Sequence, residues 1–187
     1  MVKIKVIIVN KTIFYFLIIL VLTSLTICKD WYLYASKTFG FKIELPNKPI
    51  VTKENINTEI GNLTIYSITY DPKELKEKDE NLTYLINYIE YPISSVNSTN
   101  KKQLESIYSN SIASGLKNSS GKLVDLKNVN VKGYEGKEAL IDISGNVKLT
   151  TRLILIKNKL YMLQVFSKGN KSSNISLKRF INSFDLE

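Results

Sequence analysis

The chain has no histidine and only one cysteine, and these two scarcities remove most of the side chains used for acid–base and covalent catalysis. Histidine is the commonest general base near neutral pH and the commonest ligand of transition metals, so a Ser-His-Asp triad and a histidine metal site are excluded. The single cysteine, Cys28, has no partner for a disulfide within the chain. The folded part must therefore be stabilised by its apolar core.

Acidic residues are also absent before Asp30, whereas Lys3, Lys5 and Lys11 precede an apolar run from residue 12 to residue 27 that ends at Cys28. A short basic segment followed by an apolar run is typical of an export signal or a membrane anchor. The positive-inside rule predicts that the N-terminus stays in the cytoplasm and that the downstream chain lies across the membrane. We therefore assign residues 1–29 to a signal peptide or membrane anchor and residues 30–187 to one globular domain.

Three fates of this segment are open. In the first, Leu25-Thr26-Ile27-Cys28 acts as the lipobox of a bacterial lipoprotein and Cys28 is lipidated, although Ile27 stands where Gly, Ala or Ser is usual. In the second, the run remains as an uncleaved transmembrane helix, for which its length lies at the low edge of the roughly 17–25 residues required. In the third, a signal peptidase releases the domain. The aromatic and aliphatic residues 14–22 favour the uncleaved anchor.

The positive charge does not indicate nucleic acid. Three of the 26 basic residues and none of the 17 acidic residues precede Cys28, so the rest of the chain carries a net charge of +6. These lysines are dispersed along the sequence, whereas a nucleic-acid site concentrates them in one stripe. The partners we expect are the membrane, through the N-terminal segment, and either another envelope protein or an anionic surface polymer.

The periodicity of apolar residues predicts an α+β domain with an antiparallel β-sheet flanked by helices. Asn100 and Gln103 form a capping-box pattern before a helix that Gly115 or Gly121 ends. Leu177, Phe180, Ile181 and Phe184 define one face of a closing helix. Gly61-Asn62 predicts a hairpin turn. The predicted strands are 41–45, 50–60, 63–70, 83–91, 122–131, 135–143, 147–156 and 160–167.

Several local sequences resemble those of one family when they are taken in order. They are Phe39-Gly40-Phe41-Lys42-Ile43-Glu44-Leu45-Pro46, Tyr88-Ile89-Glu90-Tyr91-Pro92, Gly133-Tyr134-Glu135-Gly136-Lys137-Glu138, Asn158-Lys159-Leu160-Tyr161 and Phe180-Ile181-Asn182-Ser183-Phe184. Together they resemble the PsbP-like α/β/α sandwich domains of bacterial envelope proteins and lipoproteins. The resemblance spans residues 31–186 and implies the fold. Photosynthetic members of that group are extrinsic subunits that stabilise a membrane complex, and we do not transfer that role to this chain.

No catalytic, cofactor-binding or metal-ligating residue is assigned from the sequence, and no cofactor is expected. Glu135 and Glu138 are three residues apart on a predicted strand, which places them on opposite faces as surface charges. The acidic residues of the charge run lack the glycine and the spacing of a calcium loop, so we interpret them as a solvated surface. They are Asp71, Glu74, Asp79 and Glu80.

Three hypotheses about function remain. The leading one is a membrane-tethered, outward-facing, non-catalytic domain that binds or stabilises another envelope component. The second is an enzyme of unrecognised type acting on wall or lipid, which requires a concave site with two carboxylates of raised pKa. The third is a carbohydrate-binding or adhesion module, which requires an exposed aromatic platform. The candidates for that platform, which core packing would also explain, are Tyr66, Tyr70, Tyr84, Tyr88 and Tyr91.

Overall fold

The computed structural model describes residues 30–58, 60–73 and 79–187, and the predicted anchor with Cys28 lies outside them. Residues 31–187 form one compact unit. No helix of the described ranges has the length and apolar character needed to cross a bilayer. The strands are β1 Tyr32–Ser36, β2 Phe41–Leu45, β3 Ile50–Thr58, β4 Gly61–Tyr70, β5 Asn81–Glu90, β6 Lys122–Val131, β7 Tyr134–Ile143, β8 Val147–Ile156, β9 Lys159–Lys168 and β10 Asp185–Leu186. The α-helices are α1 Lys101–Ser119 and α2 Ile175–Asn182.

The strands form two antiparallel sheets. The large sheet has the order β3-β4-β5-β9-β8-β7-β6, and the small sheet has the order β1-β2-β10. Helix α1 covers one face of the large sheet, while α2 and the small sheet cover the other. The prediction of an antiparallel sheet flanked by helices is therefore confirmed.

Two apolar clusters lie on opposite faces of the large sheet because successive strand residues point in opposite directions. On β8, Leu153 and Leu155 belong to the cluster under α1, whereas Ile154 and Ile156 belong to the cluster under α2. All four side chains are buried. This explains why residues 153–156 of β8 are apolar on both faces, as expected for a central strand covered on both sides.

Short turns connect β6, β7, β8 and β9 into a meander. Lys132 and Gly133 both have positive φ, 54° and 90°, which matches the backbone of a two-residue hairpin turn. Lys157 has φ 57° in the turn between β8 and β9. The predicted boundaries of these four strands agree with the structure to within one residue.

Helix α1 starts at an Asn cap, but the predicted capping box is only half formed. Asn100 Oδ1 accepts a hydrogen bond from the Gln103 backbone N–H at 3.2 Å. The Gln103 side chain does not return to Asn100; its Oε1 accepts from the Asn97 N–H and its amide donates to the Ser95 carbonyl. The box prediction was therefore wrong for Gln103, whose side chain fixes the preceding loop.

Three further boundaries differ from the prediction. Gly61 and Asn62 pair with Thr58 and Asn57, so the Gly61-Asn62 dipeptide lies within β4 and is not the turn of the hairpin. Helix α1 continues through Gly115 and ends at Ser119, and the following Ser120 adopts the left-handed conformation with φ 49°. Helix α2 ends at Asn182, so Phe184 is buried beyond the helix and is followed by β10, a strand the sequence did not predict.

Candidate ligand-binding groove

A groove of about 1010 Å³ runs beside α1 on the large sheet. The helix contacts the sheet through the buried side chains of Leu104, Tyr108 and Ile112. Tyr108 fixes its position, since its hydroxyl donates to the Glu135 carbonyl and accepts from the Leu155 N–H, both at 2.8 Å. With the helix held over β7 and β8, the neighbouring strands are left uncovered on this face.

The floor of the groove is mostly apolar. Alternate residues of β9 face it, and these are Leu160, Met162, Gln164 and Phe166. Ile65 from β4 and Ile89 from β5 extend the floor, and they are paired across the two strands.

A short polar chain crosses the middle of this floor. Ser67 Oγ donates to Asn87 Oδ1 at 2.6 Å, and Asn87 Nδ2 donates to Gln164 Oε1 at 3.2 Å. These three half-buried side chains come from β4, β5 and β9. Each amide has further hydrogen-bonding capacity beyond these bonds, which a ligand in the groove can use.

Besides Gln103, Ile107, Ser111 and Gly115, the α1 wall of the groove carries a row of small polar side chains at four-residue spacing. They are Ser106, Asn110, Ser114 and Asn118. Residues four apart lie on one face of a helix, so these side chains form a continuous row. Their small size keeps the groove wide.

Both ends of the groove combine apolar and polar lining residues. Near the start of α1 it is bordered by Ile56, Ile60, Tyr91 and Val96, together with Ser95 and Gln103. Near the end of α1 it is bordered by Asn118 and Ser119, together with Ile143, Val147, Leu149 and Phe166.

Two lysines lie beyond the end of the groove near the end of α1. Lys168 follows Phe166 by two positions on β9, so it continues the same face of the strand, and it is exposed. Lys117 precedes Asn118 in the last turn of α1 and is also exposed.

None of the described residues that line the groove is Asp, Glu, Lys or Arg. Its chemistry is that of an apolar surface with a few amide and hydroxyl groups. Such a composition suits an uncharged, largely hydrocarbon part of a ligand, with hydrogen bonds fixing its position.

The five tyrosines singled out in the sequence do not form an exposed platform. Tyr70, Tyr84 and Tyr88 are buried, and Tyr66 and Tyr91 are half-buried. Tyr66 and Tyr88 contact one another, as do Tyr70 and Tyr84, within the core under α2 and the small sheet. Burial raises the pKa of the Tyr84 and Tyr88 hydroxyls. Tyr66, Tyr70, Tyr84 and Tyr88 thus pack in the core, and of the five tyrosines only Tyr91 borders the groove.

Glu135 and Glu138 lie on opposite faces, as predicted, but Glu138 is not an ordinary surface charge. Its carboxylate accepts from Arg152 Nε at 2.7 Å and pairs with Lys127 at 2.8 Å. Burial raises the pKa of Glu138, but the hydrogen bond from Lys127 and the charge of Arg152 outweigh burial and hold this pKa below its ordinary value of 4.5. The surface interpretation was wrong because β6 and β8 place cations on both sides of this carboxylate.

The other described acidic residues of the charge run form hydrogen bonds or ion pairs with neighbouring residues of the protein. Asp79 accepts from the Asn81 N–H and from the Tyr84 hydroxyl, and Glu80 pairs with Lys171 at 3.0 Å. Asp71 accepts from the Lys73 N–H. Glu74 lies outside the described residues, as does Cys28. No group of three metal-ligating side chains occurs in the part of the chain that the structure describes.

The sequence analysis missed the groove, although one signal of it was present. Helix α1 carries small polar residues at every fourth position on one face and apolar residues on another. A helix whose polar face is made of Ser and Asn rather than Lys and Glu is poorly suited to face bulk solvent alone. That pattern, together with Asn87 and Gln164 in otherwise apolar strands, was the available indication.

Comparison with known proteins identifies the fold. The chain is similar to the solution structure of cyanobacterial PsbP (CyanoP) from Synechocystis sp. PCC 6803, with a TM-score of 0.56, 12% identity and coverage of 88% of this chain and 96% of that one. It is also matched to PA94 from Pseudomonas aeruginosa, a protein of unknown function, with a TM-score of 0.31, 10% identity and coverage of 75% and 84%. The second similarity is too low to carry an argument. No family model and no curated protein sequence matches the chain. The PsbP-like fold implied by the sequence resemblance is thus confirmed, and the fold alone.

Proposed function

We propose that this PsbP-like domain is a non-catalytic binding domain, tethered outside a bacterial membrane by residues 12–27, and that the groove beside α1 is its binding site. The observation that carries the proposal is the groove itself, which is large, apolar and lined without Asp, Glu, Lys or Arg among the described residues. Acid–base catalysis needs a titratable group next to the reacting atoms. A groove of this composition therefore favours binding over turnover.

The charges elsewhere support the same proposal. The carboxyl groups of Glu138 and Asp185 have lowered pKa values, and each is paired with lysine or arginine. A general acid needs the opposite shift, towards neutral pH. Glu138 is therefore suited to hold β6, β7 and β8 together.

The tether is supported by the basic residues and apolar run before Cys28. Its test is fractionation of cells that express the full chain, followed by the mass of the mature protein. We expect the protein in the membrane fraction and accessible to protease from outside. A cytoplasmic, soluble chain would contradict the tether.

The binding role has a separate test with residues 30–187, which contain the strands, helices and both apolar clusters described above. The probe is N-phenyl-1-naphthylamine, an uncharged dye whose fluorescence rises in an apolar site. We expect saturable binding, because the groove offers a continuous apolar floor. Ser114→Trp should weaken it severalfold, since Ser114 lines the groove and an indole there obstructs part of it.

Ser109→Trp is the matched control. Ser109 is on the same helix and is equally exposed, but it borders a small pocket on the other flank of α1. Dye binding should survive this substitution. Binding that is absent from the wild type, or unchanged in Ser114→Trp, would refute the groove as the site.

A further inference from the structure

We propose that the groove binds the single hydrocarbon chain of an anionic amphiphile, with the negative head group at the end that carries Lys117 and Lys168. This inference rests on the proposed binding function and adds the chemical class and the orientation of the ligand.

The direction of the ligand follows from the position of these two lysines, since both ends of the groove combine apolar and polar lining residues. Near the start of α1, Ile56, Ile60 and Val96 offer hydrocarbon contacts to the far part of an apolar chain. Near the end of α1, the Asn118 amide and the apolar side chains of Val147 and Phe166 line the groove. Between them, the free hydrogen-bonding capacity of Asn87 and Gln164 suits an ester or amide carbonyl within the ligand.

The sign of the head group follows from the two lysines near the end of α1. Lys168 extends the floor row of β9, and Lys117 adjoins the α1 wall. Neither forms an ion pair with a carboxylate of the described residues. By contrast, Lys148 and Lys171 are paired with Asp142 and Glu80. Two unpaired cations beside an uncharged groove complement an anion at its mouth.

Helix α1 itself does not provide this attraction. Its C-terminus lies at the same end and carries partial negative charge. The Ser120 and Gly121 N–H groups cap it by donating to the carbonyls of Lys117 and Leu116, at 3.3 and 3.0 Å. Preference for an anion must therefore come from the two lysines, which makes them the decisive positions to change.

The test displaces bound N-phenyl-1-naphthylamine from residues 30–187 with three competitors, each below its micelle concentration. They are lysophosphatidylglycerol, which is anionic with one chain; lysophosphatidylcholine, which has the same chain and no net charge; and glycerol phosphate, which has no chain. We expect lysophosphatidylglycerol to displace the dye at about tenfold lower concentration than lysophosphatidylcholine. Glycerol phosphate should not displace it.

The double variant Lys117→Glu/Lys168→Glu should lose this tenfold preference and keep dye binding. Lys102→Glu/Lys178→Glu is the control for net charge, because both lysines are exposed but lie elsewhere: Lys102 is in the first turn of α1, and Lys178 is on α2, which covers the opposite face of the large sheet. Its preference should remain that of the wild type.

The outcomes separate the two proposals. Dye binding with equal displacement by both lysolipids, or with a preference that survives Lys117→Glu/Lys168→Glu, overturns the anionic amphiphile and leaves the binding function standing. Displacement by glycerol phosphate alone shows a site for small anions and also overturns it. Dye binding without displacement by either lysolipid assigns the groove to a protein segment instead. Absence of dye binding overturns both proposals.

Discussion

Replacing Asn174 by alanine should destabilise the domain by about three times as much as the same change at Asn100. Both residues cap a helix: Asn174 Oδ1 accepts from the Leu177 N–H at 2.7 Å, and Asn100 Oδ1 accepts from the Gln103 N–H. They differ in burial, because Asn174 is 8% exposed whereas Asn100 is on the surface. The pair therefore separates the energy of a helix cap from the energy of the buried network around it.

The buried network joins α2 to the large sheet through Asn81. Asn174 Nδ2 donates to Asn81 Oδ1 at 2.7 Å, and Asn81 Nδ2 donates to Asn174 Oδ1 at 3.1 Å. Asn81 also bonds to the Ser167 hydroxyl and the Tyr84 hydroxyl, so each of its polar atoms keeps one partner when Asn174 is removed.

The magnitude follows from these bonds. Losing a helix cap costs about 1 kcal/mol, and each of the two bridging hydrogen bonds contributes about 1 kcal/mol more. The expected loss in free energy of unfolding is therefore about 3 kcal/mol for Asn174→Ala and about 1 kcal/mol for Asn100→Ala. In a domain of this size these losses correspond to a decrease in Tm of about 6–12 °C and about 2–4 °C.

Urea unfolding of residues 30–187, followed by far-UV circular dichroism, measures both losses. The variant Asn81→Ala and its combination with Asn174→Ala complete a double-mutant cycle, for which we expect a coupling of at least about 1 kcal/mol. Equal losses at Asn174 and Asn100, or a coupling near zero, would show that the buried bridge contributes nothing beyond the cap.

Three further predictions concern the sheet and its ionisable groups. Tyr108→Phe should lower the free energy of unfolding by about 1–3 kcal/mol in urea titration, because it leaves the Leu155 N–H and a strand carbonyl without a partner; a loss below about 0.5 kcal/mol would contradict this. The free energy of unfolding should fall below pH 4.5, because the pKa of Glu138 is lowered in the folded state and the stabilisation by its ion pairs is lost as the carboxylate takes up a proton. Glu138→Gln should flatten that part of the pH profile of stability. An unchanged profile would refute the assignment of this pH dependence to Glu138. At high pH stability should decrease as pH rises. Burial raises the pKa of Tyr108 and of Tyr161 to about 12, so stability should decline from about pH 10 upward. Spectrophotometric titration should show that these hydroxyls ionise at higher pH than free tyrosine. A full tyrosine titration centred near pH 10 without unfolding would contradict it.

The sequence predicted the large sheet well because its strands carry strong local signals. Apolar and polar residues alternate over parts of β6 to β9, residues 153–156 of β8 are apolar on both faces, and Gly133 and the Lys157-Asn158 pair mark the turns. The sequence did not predict elements whose formation depends on tertiary contacts. β10 has only two residues and forms because the β2 edge is available to it, so no periodicity in the sequence could indicate it.

The α1 groove was not predictable for a related reason. Sequence periodicity shows which face of a helix is apolar, but it does not show how far the helix lies from each strand. That position depends on Tyr108, whose hydroxyl joins β7 to β8 across long sequence separations. Gly136 was noted as part of a family-like phrase, and the structure gives its reason: a Cβ there would lie 2.6 Å from the Leu153 carbonyl oxygen.

The contacts between β2 and the segment after α2 have a consequence for the order in which the domain folds. The Glu44 N–H donates to Ser183 Oγ across 139 positions of sequence, and β2 pairs with β10 from the same late segment. Until residues 175–186 have been synthesised, α2 is missing from this side of the large sheet, and Tyr84 lacks its contact with Phe180. Contacts of such separation form slowly, because a long loop must close first. The nascent chain would thus remain incompletely folded until residues 175–186 have left the ribosome, although β2 is made early.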